Sequence, residues 1–296
     1  MPIATLIAAD ELTSGLISDA CDGLVGAGCM PAEIEWLEPG RAVDIGFEGS
    51  IAHASIALQP LEPVLDIAVQ PSKGRRKMLL VSDMDSTMIT VECIDELADY
   101  AGIKSEIAAI TERAMAGELD FAEALKARVA LLAGLDDEII AQCLAERVRP
   151  MPGAQTLVRT MRAWGSHTVL VSGGFTSFTG PVAQMIGLSE VHGNVLEIIG
   201  GRLTGKLIGN IIDAASKRSV LIAAAQAHGL DLNQVLAVGD GANDLPMISA
   251  AVEGQGLGVA YHPRPMLAEA ASFSVRHSDL TALLFAQGMR RAEWAN

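Results

Sequence analysis

Asp83-Met84-Asp85-Ser86-Thr87 decides how this chain is read. It follows the short apolar run 78–81, which has the length and composition of a buried strand. Two carboxylates leave that strand two residues apart, and two hydroxyls follow. Open α/β sheets collect their ligands at the carboxyl ends of strands. A carboxylate placed there is ionised at neutral pH without help from a base, so Asp83 is a candidate nucleophile and Asp85 a candidate acid or base on the same group. Alone, the pair reads equally well as turn formers or a helix N-cap.

Working outward, two more strands end in polar, glycine-rich turns. Residues 168–171 deliver Ser172-Gly173-Gly174, and 235–238 deliver Gly239-Asp240-Gly241-Ala242-Asn243-Asp244. Between them Lys217 opens an alanine-rich helix over 217–228. Residues 195–199 and 203–208 flank Gly200-Gly201, a hairpin signal. Further strands are expected over 257–260 and 273–275. Strands alternating with helices predict a parallel sheet covered on both faces. Residues 93–101, 104–115, 121–132 and 136–147 carry apolar side chains at helical spacing, punctuated by Gly102, Gly117 and Gly134 and ended by Pro150 and Pro152. Inserted between two strands, this helical set would lie over the sheet's carboxyl edge, as a lid does.

Before Asp83 the pattern predicts a small βαββαβ unit. It has strands over 5–9, 34–37, 42–47 and 65–69 and helices over 12–25 and 51–58, with a turn at Pro39-Gly40. No catalytic constellation lies in it. A structural or dimerising role is one reading and a small-molecule sensor the other. Pro71-Ser72-Lys73-Gly74 reads as a linker, and the adjoining Arg75, Arg76 and Lys77 as a solvated face.

Half of the 296 residues are apolar but only 4% are aromatic, so the core rests on aliphatic side chains and 12 methionines. A formal net charge of −15 excludes a nucleic-acid binder, which needs a basic surface. It also requires any phosphate site to be a local positive pocket. Cys21, Cys29, Cys93 and Cys143 have neither zinc-finger spacing nor the density of a disulfide scaffold, as expected of free thiols in a reducing cytoplasm. No signal peptide is expected over residues 1–9, and no apolar run is long enough to span a bilayer.

The three strand ends and the lysine make one chemistry. Asp83, Asp85 and Asp240 supply oxygen ligands for Mg2+. Ser172 and the amides of Gly173 and Gly174 can donate to phosphoryl oxygens, and Lys217 adds a mobile point charge. Phosphoryl transfer needs such positioning and neutralisation. Taken singly, Ser172-Gly173-Gly174 is a turn and Lys217 a surface lysine. Residues 240–244 lack the glycine and glutamate of a calcium loop, and 200–206 lack the Ser or Thr that would complete a P-loop.

Together, in this order, the four stretches resemble the haloacid dehalogenase superfamily of phosphatases, from about residue 78 onward. More narrowly, Val91-Glu92 and Ala114-Met115-Ala116-Gly117-Glu118-Leu119-Asp120-Phe121, followed by Arg128, are similar to the phosphoserine phosphatase family. The resemblance implies a Rossmann-like core over 73–88 and 151–296, a helical cap over about 89–150, and an ACT-like α+β domain over 1–72. It implies Mg2+-dependent hydrolysis of O-phosphoserine, the last step of serine biosynthesis, through a phosphorylated Asp83 with Asp85 as acid and base. Glu92 would then meet the substrate ammonium, Arg128 its carboxylate, and Met115 and Phe121 would wall the pocket. Asn243 would join the substrate site, with Asp244 and Thr87 in support. A homodimer is possible. Another small phosphomonoester is the alternative substrate, and a ligand-binding regulator the alternative class.

Overall fold

In the computed structural model residues 1–115 and 118–295 are described, except for the side chain of residue 115. The first four strands, β1 (Pro2–Ile7), β2 (Met30–Glu38), β3 (Ala42–Glu48) and β4 (Asp66–Pro71), form an antiparallel sheet in the order β2-β3-β1-β4. Helices α1 (Ser14–Gly26) and α2 (Ile51–Leu58) start on hydroxyl caps: Thr13 accepts from the Leu16 amide and Ser50 from the His53 amide. Leu6, Leu24, Ile45, Phe47 and Leu58 fill the space between helices and sheet. This is the expected βαββαβ order.

The chain then enters β5 (Leu79–Ser82) and leaves it for four helices: α3 (Cys93–Ala101), α4 (Lys104–Met115), α5 (Phe121–Ala130) and α6 (Glu138–Glu146). The bonds Thr90 N to Arg149 O and Met151 N to Met88 O tie the two ends of this insertion together. Asp120 and Glu123 form a reciprocal capping box at the start of α5. The remaining elements are α7 (Ala154–Ala163), β6 (His167–Phe175), α8 (Thr176–Ile186), β7 (Glu190–Ile199), β8 (Arg202–Ile208), α9 (Ala214–Ala227), β9 (Val235–Gly239), α10 (Leu245–Glu253), β10 (Leu257–Tyr261), α11 (Pro265–Ala270), β11 (Phe273–Val275) and α12 (Ala282–Ala286). The insertion docks on the β7–β8 hairpin through Gly134 N to Leu203 O and Leu203 N to Leu135 O.

These strands form one sheet in the order β11-β10-β9-β5-β6-β7-β8, parallel except for the β7–β8 hairpin. Successive residues of a strand face opposite layers. Accordingly Leu80, Leu170 and Leu236 enter one core, while Leu79, Val81, Val169 and Ala237 enter the other. Central β5 lies between β6 and β9, with Ser82 level with both Leu170 and Val238. That register sets Asp83, Ser172 and Asp240 side by side at one edge. Sequence patterning marks no element between 171 and 195, a stretch that contains Pro181. α8 forms through that proline, because Phe178, Val182 and Ile186 are buried and tertiary packing overrides the local preference.

The expected solvated face at residues 75–77 is corrected. Arg75 and Lys77 are buried, and only Arg76 stays exposed, paired with Glu293. Arg75 Nη1 donates to Asp44 Oδ2 at 2.5 Å and Nη2 to Asp44 Oδ1 at 3.0 Å and Thr5 Oγ1 at 2.9 Å. Its Nε and Nη2 also reach the Ala286 and Phe285 carbonyls, both at 3.2 Å. Lys77 Nζ donates to the Gly74 and Asn233 carbonyls. One guanidinium therefore staples the antiparallel sheet to the end of α12. Asp66 makes a second staple, accepting the amides of Arg276, His277 and Ser278. Among the described residues no helix is long and apolar enough to cross a membrane.

Candidate active site

β5 stops at Ser82, and the Asp83 amide bonds the Val238 carbonyl at 3.0 Å, which fixes the first carboxylate at the sheet edge. Lys217 comes from the first turn of α9, whose start is capped by Asp213. Its Nζ lies 2.7 Å from Asp83 Oδ1 and 2.7 Å from Asp244 Oδ1. The other Asp244 oxygen accepts the Asp240 and Gly241 amides at 3.1 and 3.2 Å. Gly239 permits this approach: a Cβ there would stand 2.3 Å from the Asp244 carboxylate. The mobile point charge expected of Lys217 is thus corrected. The ammonium is 1% exposed, held between two carboxylates, and lies behind the cavity wall. Burial alone would lower its pKa, but Asp244 and Asp83 more than offset that and raise it.

Carboxylate oxygens of Asp83, Asp240 and Asp244 all lie within 4.8 Å of one another. Three carboxylates around one ammonium leave an excess of buried negative charge. Burial, then Asp244, raises Asp83 well above the usual carboxylate range, with Lys217 offsetting part of the effect. Asp240 is pushed up to about 6 by burial and by Asp244. This surplus fits a divalent cation, and oxygen donors suit one of the Mg2+ or Mn2+ class. Asp83 and Asp240 line the cavity while Asp244 does not. The first two would therefore hold the ion, with Asp244 anchoring Lys217 and the loop amides behind them.

Asp85, expected as the third carboxylate ligand, is not in this cluster. Its side chain turns toward α3 and accepts the Cys93 amide at 3.1 Å. Two residues after Asp83 on a tight turn, it points elsewhere. Burial, then Glu92, pushes its pKa up to about 7, which suits a group that must both give and take a proton. Ser86, next in line, has φ +54, in the left-handed region, and its hydroxyl donates to Glu92 Oε1 at 2.7 Å. A non-glycine residue there marks backbone held by its surroundings. Thr87 Oγ1 is a long 3.5 Å from Asp240 Oδ1.

At the end of β6 the Gly174 amide donates to Ser172 Oγ at 2.8 Å. Neither glycine has room for a side chain. A Cβ on Gly173 would stand 3.0 Å from the Phe121 ring, and one on Gly174 would stand 3.0 Å from Asp85 Oδ2. Asn194, which sequence reasoning missed, holds this turn: its Nδ2 donates to Gly173 O and its Oδ1 accepts the Ile212 amide, both at 2.8 Å. A lone buried amide on an apolar strand was the available signal.

A cavity of about 360 Å³ joins these groups. Asp83, Asp85, Ser172, Gly173, Gly174, Asp240 and Asn243 line its floor, and Glu92, Phe121 and Arg128 its roof. Burial lowers the pKa of Arg128, with Asp95 and Glu92 opposing. The side chain of Met115 lies outside the described residues. Sequence reasoning also missed Asp95, Thr111, Leu125 and Arg264 in the lining. They belong to no motif, and only the folded insertion and the loop after β10 bring them in.

A family model described as haloacid dehalogenase-like hydrolase matches residues 80–249. A phosphoserine phosphatase of Streptomyces coelicolor is 43% identical over 250 residues, 84% of this chain and 60% of that protein. One of Albidiferax ferrireducens is 46% identical over 211 residues, 70% of this chain and 87% of that protein. Among solved structures, a probable phosphoserine phosphatase from Vibrio cholerae in unliganded form superposes with a TM-score of 0.79 at 34% identity, covering 98% of this chain and 88% of that one. The chain spans 60% of the length of the Streptomyces relative.

Proposed function

This chain belongs to the haloacid dehalogenase-like hydrolases, and from that premise we propose that it hydrolyses O-phospho-L-serine to L-serine and phosphate, the last step of serine biosynthesis. The observation that carries this reading is the lining of the cavity. Asp83 stands at its floor, while the Glu92 carboxylate and Arg128 guanidinium stand at its roof. A phosphorylated amino acid offers a phosphoryl group, an ammonium and a carboxylate, one for each. Relatives bearing the name phosphoserine phosphatase support the substrate.

Mg2+, the ion we propose for Asp83 and Asp240, supplies charge neutralisation that lets an anionic nucleophile meet an anionic substrate. An Asp83 oxygen attacks phosphorus in line with the serine oxygen. As the phosphorus–serine oxygen bond breaks, Asp85 gives that oxygen its proton, leaving an acyl phosphate on Asp83. Asp85 then takes a proton from water, which displaces Asp83 from phosphorus. Ser172 and the amide of Gly173 hold the equatorial oxygens, and Asn243 flanks them. Lys217 keeps Asp83 oriented from behind. In this reading α3, α5 and α6 close over the substrate, Phe121 excludes water, and Asp244 and Thr87 steady the floor.

The enzyme works in the cytoplasm in this proposal, in keeping with its four free cysteines. Residues 1–72 serve as a separate unit whose edge strand β2 presents Met30, Ile34 and Trp36 for homodimer contact. The deciding experiment is phosphate release from a panel of phosphorylated metabolites with and without a chelator. Mg2+-dependent turnover highest on O-phosphoserine supports the proposal. Equal turnover on phosphates lacking a carboxylate would move the substrate assignment, and no release at all would leave only a binding role.

A further inference from the structure

The opposite end of β6 carries a second polar cluster, which the phosphatase chemistry does not use. His167 begins β6 and Glu190 begins β7, and the two strands run parallel with Val169 level with Glu190. His167 Nε2 lies 2.9 Å from Glu190 Oε2. His192, two residues along β7 and so on the same face, lies 2.7 Å from Glu190 Oε1. His228, at the end of α9, stacks on His167 with ring centroids 3.9 Å apart and planes inclined by 32°. One ligand atom each from His167, Glu190 and His228 lies within 4.8 Å of the other two. Five residues of strand separate His167 from Ser172, roughly 16 Å at the usual rise.

We propose that His167, Glu190 and His228 form a transition-metal site, selective for Zn2+ or a metal of similar softness and separate from the acidic cluster at the other edge of the sheet. Two imidazoles and a carboxylate are a nitrogen-rich donor set, which favours zinc over magnesium. An ordinary surface ion pair explains one histidine beside Glu190. It does not explain a third donor, from His228, whose ligand atom falls within 4.8 Å of those of His167 and Glu190. The ligands come from two adjacent strands and a helix end, which are rigid supports. His192 holds the free Glu190 oxygen, as outer partners of metal-bound carboxylates do. Solvent reaches the cluster, since His228 is exposed and His167 and Glu190 are partly so. A tetrahedral zinc with bonds of about 2.0–2.1 Å needs donors slightly further apart than the His167–Glu190 contact, so binding would open that contact by a few tenths of an ångström.

The test is a calorimetric titration of the full chain with Zn2+ in excess Mg2+, repeated on His228→Ala and Glu190→Gln. The expected result is one equivalent of Zn2+, weakened about 10-fold or more in each variant, with the thermal midpoint of the metal-free protein unchanged in His228→Ala. Co2+ bound in place of zinc should give the visible absorption of a nitrogen-ligated ion, and that absorption should be lost in both variants. Absence of a zinc equivalent in excess Mg2+, or an affinity unchanged by both substitutions, overturns the proposal. So does a zinc equivalent that survives both substitutions and disappears only in Asp240→Asn, which would assign the ion to the acidic cluster.

Discussion

Among the described residues two buried ionic clusters, around Arg75 and around Lys217, are built on opposite principles. Around Arg75 every charge is answered. The guanidinium meets both oxygens of Asp44, a threonine hydroxyl and two helix-end carbonyls. Around Lys217 the charges do not balance. One ammonium faces Asp83 and Asp244, Asp240 adjoins them, and the group opens onto a cavity of about 360 Å³. A buried pair that is complete rigidifies the fold, while one left with surplus negative charge holds free energy that a cation can release. The Arg75 cluster therefore reads as architecture, and the Lys217 cluster as chemistry.

Substitution should separate them. Asp83→Asn should lower turnover on O-phosphoserine on the order of 10⁴-fold or more, as for other essential nucleophiles. Removing one of three crowded carboxylates should at the same time leave thermal stability intact. Arg75→Met should do the reverse, costing about 3–5 kcal/mol of stability because the buried Asp44 carboxylate loses its cation and keeps only the Thr5 hydroxyl. Its turnover at a temperature where the protein stays folded should match that of the unaltered chain. Chemical denaturation and steady-state kinetics on the two variants check both halves. If Asp83→Asn unfolds the protein, or Arg75→Met abolishes turnover of folded protein, the division fails.

Arg128→Ala tests the cavity roof. A hydrogen-bonded pair to a charged group contributes about 1.5–3 kcal/mol, so the substitution should raise KM for phosphoserine by roughly 10- to 100-fold. A phosphate ester without a carboxylate should be unaffected.

The smallest effect concerns protons and metal. Burial raises Asp83 and pushes Asp240 up to about 6, above their values in the unfolded chain. In the metal-free protein these groups therefore oppose folding increasingly as pH rises through that window, a cost that disappears as pH falls. Mg2+ competes with the same protons. Its stabilising shift in thermal midpoint should be larger above pH about 6 than below it. A shift independent of pH would place the ion elsewhere.

Much of this was legible in the sequence, and what was missed has a common cause. The three strand ends could be read because each carries its chemistry within five or six consecutive residues. The cap helices Cys93–Ala101 and Lys104–Met115 could be read from apolar spacing. Arg75 could not, because its partner Asp44 is 31 residues away on β3; a basic run shows its charge but not its company. Spacing also could not tell Asp85 from Asp244 as the third member of the carboxylate cluster. The turn after β5 aims Asp85 at the Cys93 amide, and the missing Cβ of Gly239 lets Asp244 in. The lysine was found, but its immobility needed the two carboxylates on either side of it.

The most direct test is a rapid chemical quench of the protein turning over O-phosphoserine with Mg2+, followed by peptide mapping by mass. The account predicts one acid-stable, hydroxylamine-sensitive phosphoryl group on the peptide containing Asp83. Steady turnover with no phosphoryl group on that peptide, or with one on another residue, would contradict it.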